Sequence, residues 1–111
     1  VRREGNTLII GALTRHYEIA SSAEVKAGIP ALAEMAHTIG DTQVRNRGTM
    51  GGSVANNDPA ADYPAAVLAL GGSIQTDKRV VPADQFFQGM FATALDVGEI
   101  VTAIHLPVPE K

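Results

Sequence analysis

The sequence predicts an α+β domain: a small, mostly antiparallel sheet with packed helices. Three observations carry this. Segments rich in β-branched residues stand near both ends of the chain, at residues 7–10 and 99–106. A hairpin pattern lies between them, residues 73–77 and 79–82 flanking Asp77-Lys78. Ser21, Ser22 and Pro30 then mark helix starts, and Gly71-Gly72 marks a helix end.

Taken in order, residues 7–10 and 13–19 read as two strand segments, or as one strand bent at Gly11-Ala12. A short helix follows at Ser21 or Ser22, whose hydroxyls can accept from the free N–H groups of the next turn. Glu24 there suits the positive end of the helix dipole. Gly28 weakens this helix and Pro30 bars the α conformation at Ile29, so a second helix begins at Pro30 and runs to about His37. Its apolar face, Leu32, Met35, Ala36 and Ile39, is expected in the core. Between Gly40 and Pro64 regular patterning gives way to Gly, Asn, Asp, Thr and Pro. A connection that long in a compact domain is functional or disordered, and Val44, Met50, Val54 and Ala55 give it something to bury. Residues 64–70 form a compact helix ended by Gly71-Gly72. The hairpin follows, then a short helical or looped stretch over 83–91. The last segment alternates Ile100, Thr102, Ile104 and Leu106 against Val101, Ala103 and His105, a strand stopped by Pro107 and Pro109.

Composition narrows the function. A chain of 111 residues, 45% of them hydrophobic, is one domain with a real core. Nine Lys and Arg against twelve Asp and Glu give a net charge of −3, no footprint for nucleic acid or anionic membrane. With no cysteine the chain forms no disulfide, holds no iron–sulfur cluster through thiolates and has no Cys nucleophile, so such a cluster belongs to another polypeptide. No apolar run approaches the ~20 residues that cross a bilayer, and no signal-type segment follows Val1, so no membrane span and a cytoplasmic location are expected. His16, His37 and His105 lack metal-ligand spacing, and no metal site is expected. Tyr17, Tyr63, Phe86, Phe87 and Phe91 read as core or interface packing.

The densest chemical feature is Thr49-Met50-Gly51-Gly52-Ser53. Paired glycines let a ligand approach the main chain, and successive N–H groups can converge on a phosphate or pyrophosphate between the Thr49 and Ser53 hydroxyls. The same residues also suit an ordinary tight turn. They are neither a Gly-x-Gly-x-x-Gly fingerprint nor a P-loop, which needs a Lys. Asp62 in Asp58-Pro59-Ala60-Ala61-Asp62-Tyr63-Pro64 can cap the following helix or accept from a ligand hydroxyl, while Asp58 before Pro is a turn former. Arg45 and Arg47, two apart, can neutralise a diphosphate or grip a carboxylate, or simply be solvated. A different class is a serine hydrolase, from Gly51-Gly52-Ser53-Val54-Ala55 with Asp84 or Asp96 and then His105. The elbow needs a strand entering and a helix leaving, and Asn56-Asn57-Asp58-Pro59 follows instead. Labelling of Ser53 by a fluorophosphonate is not expected.

The run from Gly40 through Arg45-Asn46-Arg47-Gly48-Thr49-Met50-Gly51-Gly52-Ser53-Val54-Ala55-Asn56, continuing through Asp58-Pro59-Ala60-Ala61-Asp62-Tyr63-Pro64-Ala65, resembles the FAD-binding medium subunit of the molybdenum hydroxylases. Within the xanthine dehydrogenase family it is most similar to the carbon monoxide dehydrogenase medium-subunit branch. The likeness extends through Ile10-Gly11-Ala12-Leu13-Thr14 and Gly98-Glu99-Ile100-Val101-Thr102 with Pro107, covering nearly the whole chain. The resemblance implies the second subdomain of a PCMH-type FAD-binding fold, in which two Gly-rich loops clasp the FAD diphosphate. The second loop matches Thr49, Met50, Gly51, Gly52 and Ser53; the family's flavin-contacting aspartate falls on Asp62, and a hydrophobic residue against the cofactor on Ile39 or Gly40. It further implies a large molybdopterin subunit and a small iron–sulfur subunit with 2Fe–2S clusters, whose electrons FAD hands to an outside acceptor. The flavin carries the redox chemistry, so no acid–base catalyst is named. Relatives carry Thr-Ile-Gly-Gly-Asn where this chain has Thr49-Met50-Gly51-Gly52-Ser53, and Ser53 loses the amide. The first Gly-rich loop would precede Val1, and a further domain would follow Lys111. Residues 1–111 are therefore expected to be a partial FAD-binding domain, with weak or no flavin binding and no activity in isolation. The alternative is a truncated fold remnant or subunit-interaction module without flavin.

Overall fold

Leu8 and Ile10 stand two residues apart on β2 (Thr7–Gly11), and Ile104 and Leu106 do so on β7 (Val101–Pro107), so each pair leaves its strand on one side. In the computed structural model, which describes residues 1–38, 49–56, 62–89 and 92–109, the antiparallel register sets Leu8 opposite Leu106 and Ile10 opposite Ile104. Ile74 of β3 (Ser73–Thr76) faces Ile104 from the other side. All five side chains are fully buried, and each such burial contributes roughly 1.5–3 kcal/mol, which makes this row the centre of the core.

Among the described residues the sheet has five strands, and with β1 at Arg2–Glu4 and β4 at Val80–Pro82 their order is β1-β2-β7-β3-β4, every neighbouring pair antiparallel. This is the α+β architecture that the sequence predicts. β1 (Arg2–Glu4), unread in the sequence, pairs with β2 across a turn at Gly5, whose φ of 58° lies in the left-handed region that glycine favours. The hairpin of β3 and β4 (Val80–Pro82) turns at Asp77-Lys78 as expected. A two-stranded ribbon, β5 (Phe87–Gly89) and β6 (Ala92–Thr93), lies apart from the sheet.

Helices cover the apolar face. Residues 13–19 are not a strand: α1 (His16–Ser21) begins there, its first turn held by the Glu18 carboxylate, which accepts the Arg15 N–H at 3.1 Å. His16 and Ile19, one helical turn apart, are both buried. α2 (Ala23–Gly28) starts after Ser22, whose Oγ accepts from Val25 N, and α3 (Pro30–Thr38) starts at Pro30, both as the sequence indicates. On α3, Leu32, Ala33 and Ala36 are buried and Met35 partly so; Ile39 lies outside the described residues.

The expected irregular stretch is also corrected, because residues 50–56 form a helix, α4 (Met50–Asn56), with Met50 and Val54 fully buried one turn apart. α5 (Asp62–Ala69) begins at Asp62 itself and ends before Gly71, with φ 68°. α6 is the single turn Ala83–Phe86, and residues 87–89 continue into β5 rather than into helix or loop. The final strand starts at Val101, not Glu99, and runs through Pro107, which pairs with Thr7. Among the described residues, no helix is long and apolar enough to cross a membrane.

Candidate functional site

Three segments distant in sequence meet at the Gly-Gly pair. After β2 the chain turns at Ala12-Leu13, tied back to β7 by Ala12 N–H donating to Thr102 O at 2.9 Å. The start of α4 docks on this turn: Met50 N–H donates to Thr14 O at 3.0 Å, Gly51 N–H to Ala12 O at 2.9 Å, and Thr49 bridges to Arg15. The third segment, Leu95 to Val101, faces them. Ala12, Leu13, Thr49, Gly51, Gly52, Ala55, Leu95, Glu99, Ile100 and Val101 together line a cleft of about 320 Å³. A second hollow of about 440 Å³ shares Ala12, Leu13, Ile100 and Val101 with it and continues along Gly11 and Thr102.

This geometry corrects one expectation about mechanism. The amides of Gly51 and Gly52 do not converge on an open anion site. Gly51 N–H is taken by Ala12 O, and Gly52 N–H donates to Thr49 Oγ1 at 3.1 Å, a helix N-cap. Helix formation has absorbed the donors that a loop would have left free. The cleft is lined instead by Gly52, which has only main chain to present, by Ala12 and Ala55 with their small side chains, and by Thr49, whose hydroxyl oxygen caps the helix. Because that hydroxyl oxygen accepts from Gly52, its own proton remains available to donate.

The two glycines differ. A Cβ on Gly51 would sit 2.5 Å from Ala12 Cβ and 2.6 Å from Ala12 O, so this glycine exists for the close approach of α4 to the turn. Gly52 is exposed, and a Cβ there would meet only Thr49 Oγ1, at 3.0 Å. Met50 is fully buried, so its side chain belongs to the core and not to the cleft. Ser53 lies on α4 and Asp62 opens α5, each placed by its backbone alone. Ile39, Gly40, Arg45, Arg47, Asp58 and Phe91 lie outside the described residues. The structure thus brings together Thr49, Gly51 and Gly52 of the expected set.

Outside the cleft lining, His16 Nδ1 lies 3.2 Å from Tyr63 Oη, with ring centroids 5.1 Å apart, joining the start of α1 to the start of α5. Burial lowers the His16 pKa from its ordinary value. Tyr63 and Phe86 are fully buried, as expected of core aromatics, whereas Tyr17 is exposed. His105, the third member of the hydrolase arrangement, places Nε2 2.7 Å from Gln75 Oε1.

Sequence reasoning did not single out the far wall. Glu99 is fully buried yet charged: it accepts from Thr76 Oγ1 at 2.6 Å, from Arg79 Nε and Nη2 at 2.9 Å each, and from Asp96 N at 2.9 Å. The Arg79 guanidinium first, then the Thr76 hydroxyl and the Asp96 amide, hold its carboxyl well below the usual carboxylate range. The available signal was the family likeness of residues 10–14 and 98–102, which are the segments that flank the Gly-Gly pair in space.

Comparison with known proteins agrees with this geometry. The family model described as the FAD binding domain in molybdopterin dehydrogenase matches residues 1–109. The chain is 42% identical over 111 residues to the carbon monoxide dehydrogenase medium chain of Hydrogenophaga pseudoflava, covering 96% of this chain and 39% of that one. It is 44% identical over 112 residues to the glyceraldehyde dehydrogenase medium chain of Sulfolobus acidocaldarius, covering 97% and 40%. The solved carbon monoxide dehydrogenase of Hydrogenophaga pseudoflava that lacks the Mo-pyranopterin moiety of its molybdenum cofactor superposes with a TM-score of 0.93 at 42% identity, over 98% of this chain and 39% of that one. Quinoline 2-oxidoreductase from Pseudomonas putida 86 does so with a TM-score of 0.93 at 29% identity, over 97% and 39%. The chain therefore spans about two fifths of the length of these relatives. A family match over nearly the whole chain, on the same α+β fold, places it in the PCMH-type FAD-binding domain family of molybdopterin dehydrogenases, with the carbon monoxide dehydrogenase medium subunits.

Proposed function

We propose that this chain forms one wall of an FAD site in the flavoprotein component of a molybdenum hydroxylase. The observation that carries the reading is the cleft at Thr49, Gly51 and Gly52, in a chain whose family is defined by FAD binding. The residues present fit such a ligand. A phosphate chain can lie on the bare backbone of Gly52, and a Cβ there would project into that space beside Thr49 Oγ1. The cleft lies near the lower end of the ~300–1,000 Å³ typical of small-molecule sites, suited to part of a dinucleotide and not to all of it.

The Thr49 hydroxyl donates to a diphosphate oxygen, Gly52 admits it without bulk, and the Ala12, Ala55, Ile100 and Val101 surfaces exclude water from the adjoining portion. Ser53 and Asp62 contribute a hydroxyl and a carboxylate, the latter to the ribityl chain or flavin edge, with Ile39 and Gly40 beside the cofactor. FAD, when bound, supplies a centre that takes electrons from one-electron donors and passes them on to an acceptor. Those donors would be iron–sulfur clusters of a small partner subunit, fed from molybdopterin in a large one, in a cytoplasmic assembly. The competing reading, a fold or contact module without flavin, is favoured by one observation: both glycine amides are spent inside the chain.

The visible spectrum of the full-length protein separates the two. Two flavin absorption bands, and their loss in Gly52→Val with the far-UV spectrum intact, support the flavin site. A colourless wild type supports the module, and full colour in Gly52→Val moves the cofactor away from this cleft.

A further inference from the structure

The wall opposite Thr49 and Gly52 is an irregular segment, residues 95–101, which has no ladder of its own until Val101 enters β7. Something else must hold it. The hairpin turn between β3 and β4 is built around Thr76 Oγ1, which accepts the N–H groups of Lys78 and Arg79, both at 3.1 Å. This turn is zipped to the cleft wall. Asp77 N–H donates to Ile100 O at 3.0 Å, and Ile100 N–H donates to Asp77 Oδ1 at 2.9 Å. Between this turn and the wall lies the buried Glu99 carboxylate, gripped by the Arg79 fork; Arg79 Nη2 also reaches Ala94 O, just ahead of the wall. Arg79 thus holds the wall at Glu99 and just ahead of it at Ala94 while lining neither hollow.

We propose that Arg79 is a positioning residue for the flavin nucleotide: through Glu99 and Ala94 it fixes residues 95–101 at the spacing from Thr49 and Gly52 that the ligand requires. This rests on the flavin reading above. A two-pronged grip on a buried carboxylate is geometrically exacting, and Lys, a single-point donor, cannot reproduce it. The exposed Asp96 carboxylate, 3.9 Å from Arg79, is a screened partner and adds little.

The test uses the full-length protein, stripped of flavin and titrated with FAD, with flavin fluorescence and visible circular dichroism as readouts. Amide hydrogen exchange is followed in residues 95–101 and in β7. Arg79→Met is expected to weaken FAD binding at least tenfold and to speed exchange in 95–101 while leaving β7 protected. Arg79→Lys recovers only part of either, and Asp96→Asn stays within twofold of wild type. If Arg79→Met does not fold, Arg79→Lys is held to the same two measures. A wild type that takes up no FAD overturns the flavin reading and this inference with it. A wild type that binds, with a folded Arg79 variant binding within twofold, overturns the inference alone. So does an Asp96→Asn effect equal to that of Arg79→Met, which would reduce the clamp to loop charge.

Discussion

At Gly51 and Gly52 the same residue type answers two different demands, and substitution separates them. In Gly51→Ala the new methyl meets Ala12 backbone at under 3 Å, which side-chain rotation cannot relieve, so a loss of about 3 kcal/mol is expected, with the urea midpoint falling accordingly. Gly52→Ala is expected to leave that midpoint within about 1 kcal/mol of wild type, since Ala favours the helix and crowds only a hydroxyl. Equal midpoints for the two variants would contradict the close approach to Ala12. The sequence made the need for bare backbone legible but not its direction, because nothing near residue 51 announces that the Ala12 carbonyl is its partner. Two buried titrating groups act on stability in acid. The unfolded chain protonates His16 near pH ~6.5 while the folded chain resists, so the unfolded state binds more protons in that interval and stability falls as pH drops through it. Glu99 is a carboxylate with a depressed folded pKa, so its contribution is present above the ordinary carboxylate range and is lost only at lower pH. Melting temperature followed from pH 8 to pH 3 should therefore decline in two steps, and His16→Gln should flatten the upper one alone.

Short helices are where local signals ran out. α1 has six residues and α4 seven, below the ~12–15 at which an isolated helix becomes even marginal, so both exist through packing and capping. That is why residues 13–19, with Leu13, Thr14 and Ile19, read as strand: β-branched content is a local signal, whereas the burial of His16 and Ile19 against the rest of the chain is not. The glycines of α4 likewise hid a helix, since their cost of about 1 kcal/mol each relative to Ala is outweighed by burying Met50 and Val54. By contrast α2, α3 and α5 carry their own punctuation in Ser22, Pro30 and Gly71, and those marks coincide with observed ends. Thr49 is the corresponding mark for α4, hidden because the paired glycines that follow it suit a loop as well as a helix. Thr49→Ala should cost about 1 kcal/mol and speed hydrogen exchange at Gly52, and Thr49→Ser should restore most of both. An unchanged Gly52 exchange rate in the alanine variant would show that the cap does not hold the helix.

The whole molecule depends on its last strand. The order β1-β2-β7-β3-β4 puts β7 in the middle, bonded to β2 from the start of the chain and to β3 from its second half. β2, β3, β4 and β7 are legible from β-branched content, a hairpin pattern and alternation, but β1, the β5–β6 ribbon and this order are not, because pairing across almost the whole chain leaves no mark in any local window. Such non-local pairing also folds slowly, since the loop must close before any contact rewards it. The cleft inherits this dependence. Ala12 on its lining is bonded to Thr102 of β7, and its far wall leads straight into Val101, so the geometry of the cleft depends on the docking of β7. Ile104, fully buried between Ile10 and Ile74, is the test of that order. Ile104→Ala should cost about 2–5 kcal/mol, a large share of the ~5–15 kcal/mol that holds a domain together. Val80→Ala, on an edge strand and 55% exposed, should stay within about 0.5 kcal/mol. If β7 is the keystone and the flavin reading holds, chemical denaturation of the full-length Ile104→Ala protein loaded with FAD will lose sheet circular dichroism and flavin fluorescence quenching at one shared midpoint, lowered from wild type. Flavin release well ahead of the loss of sheet would instead show that the cleft opens independently of β7.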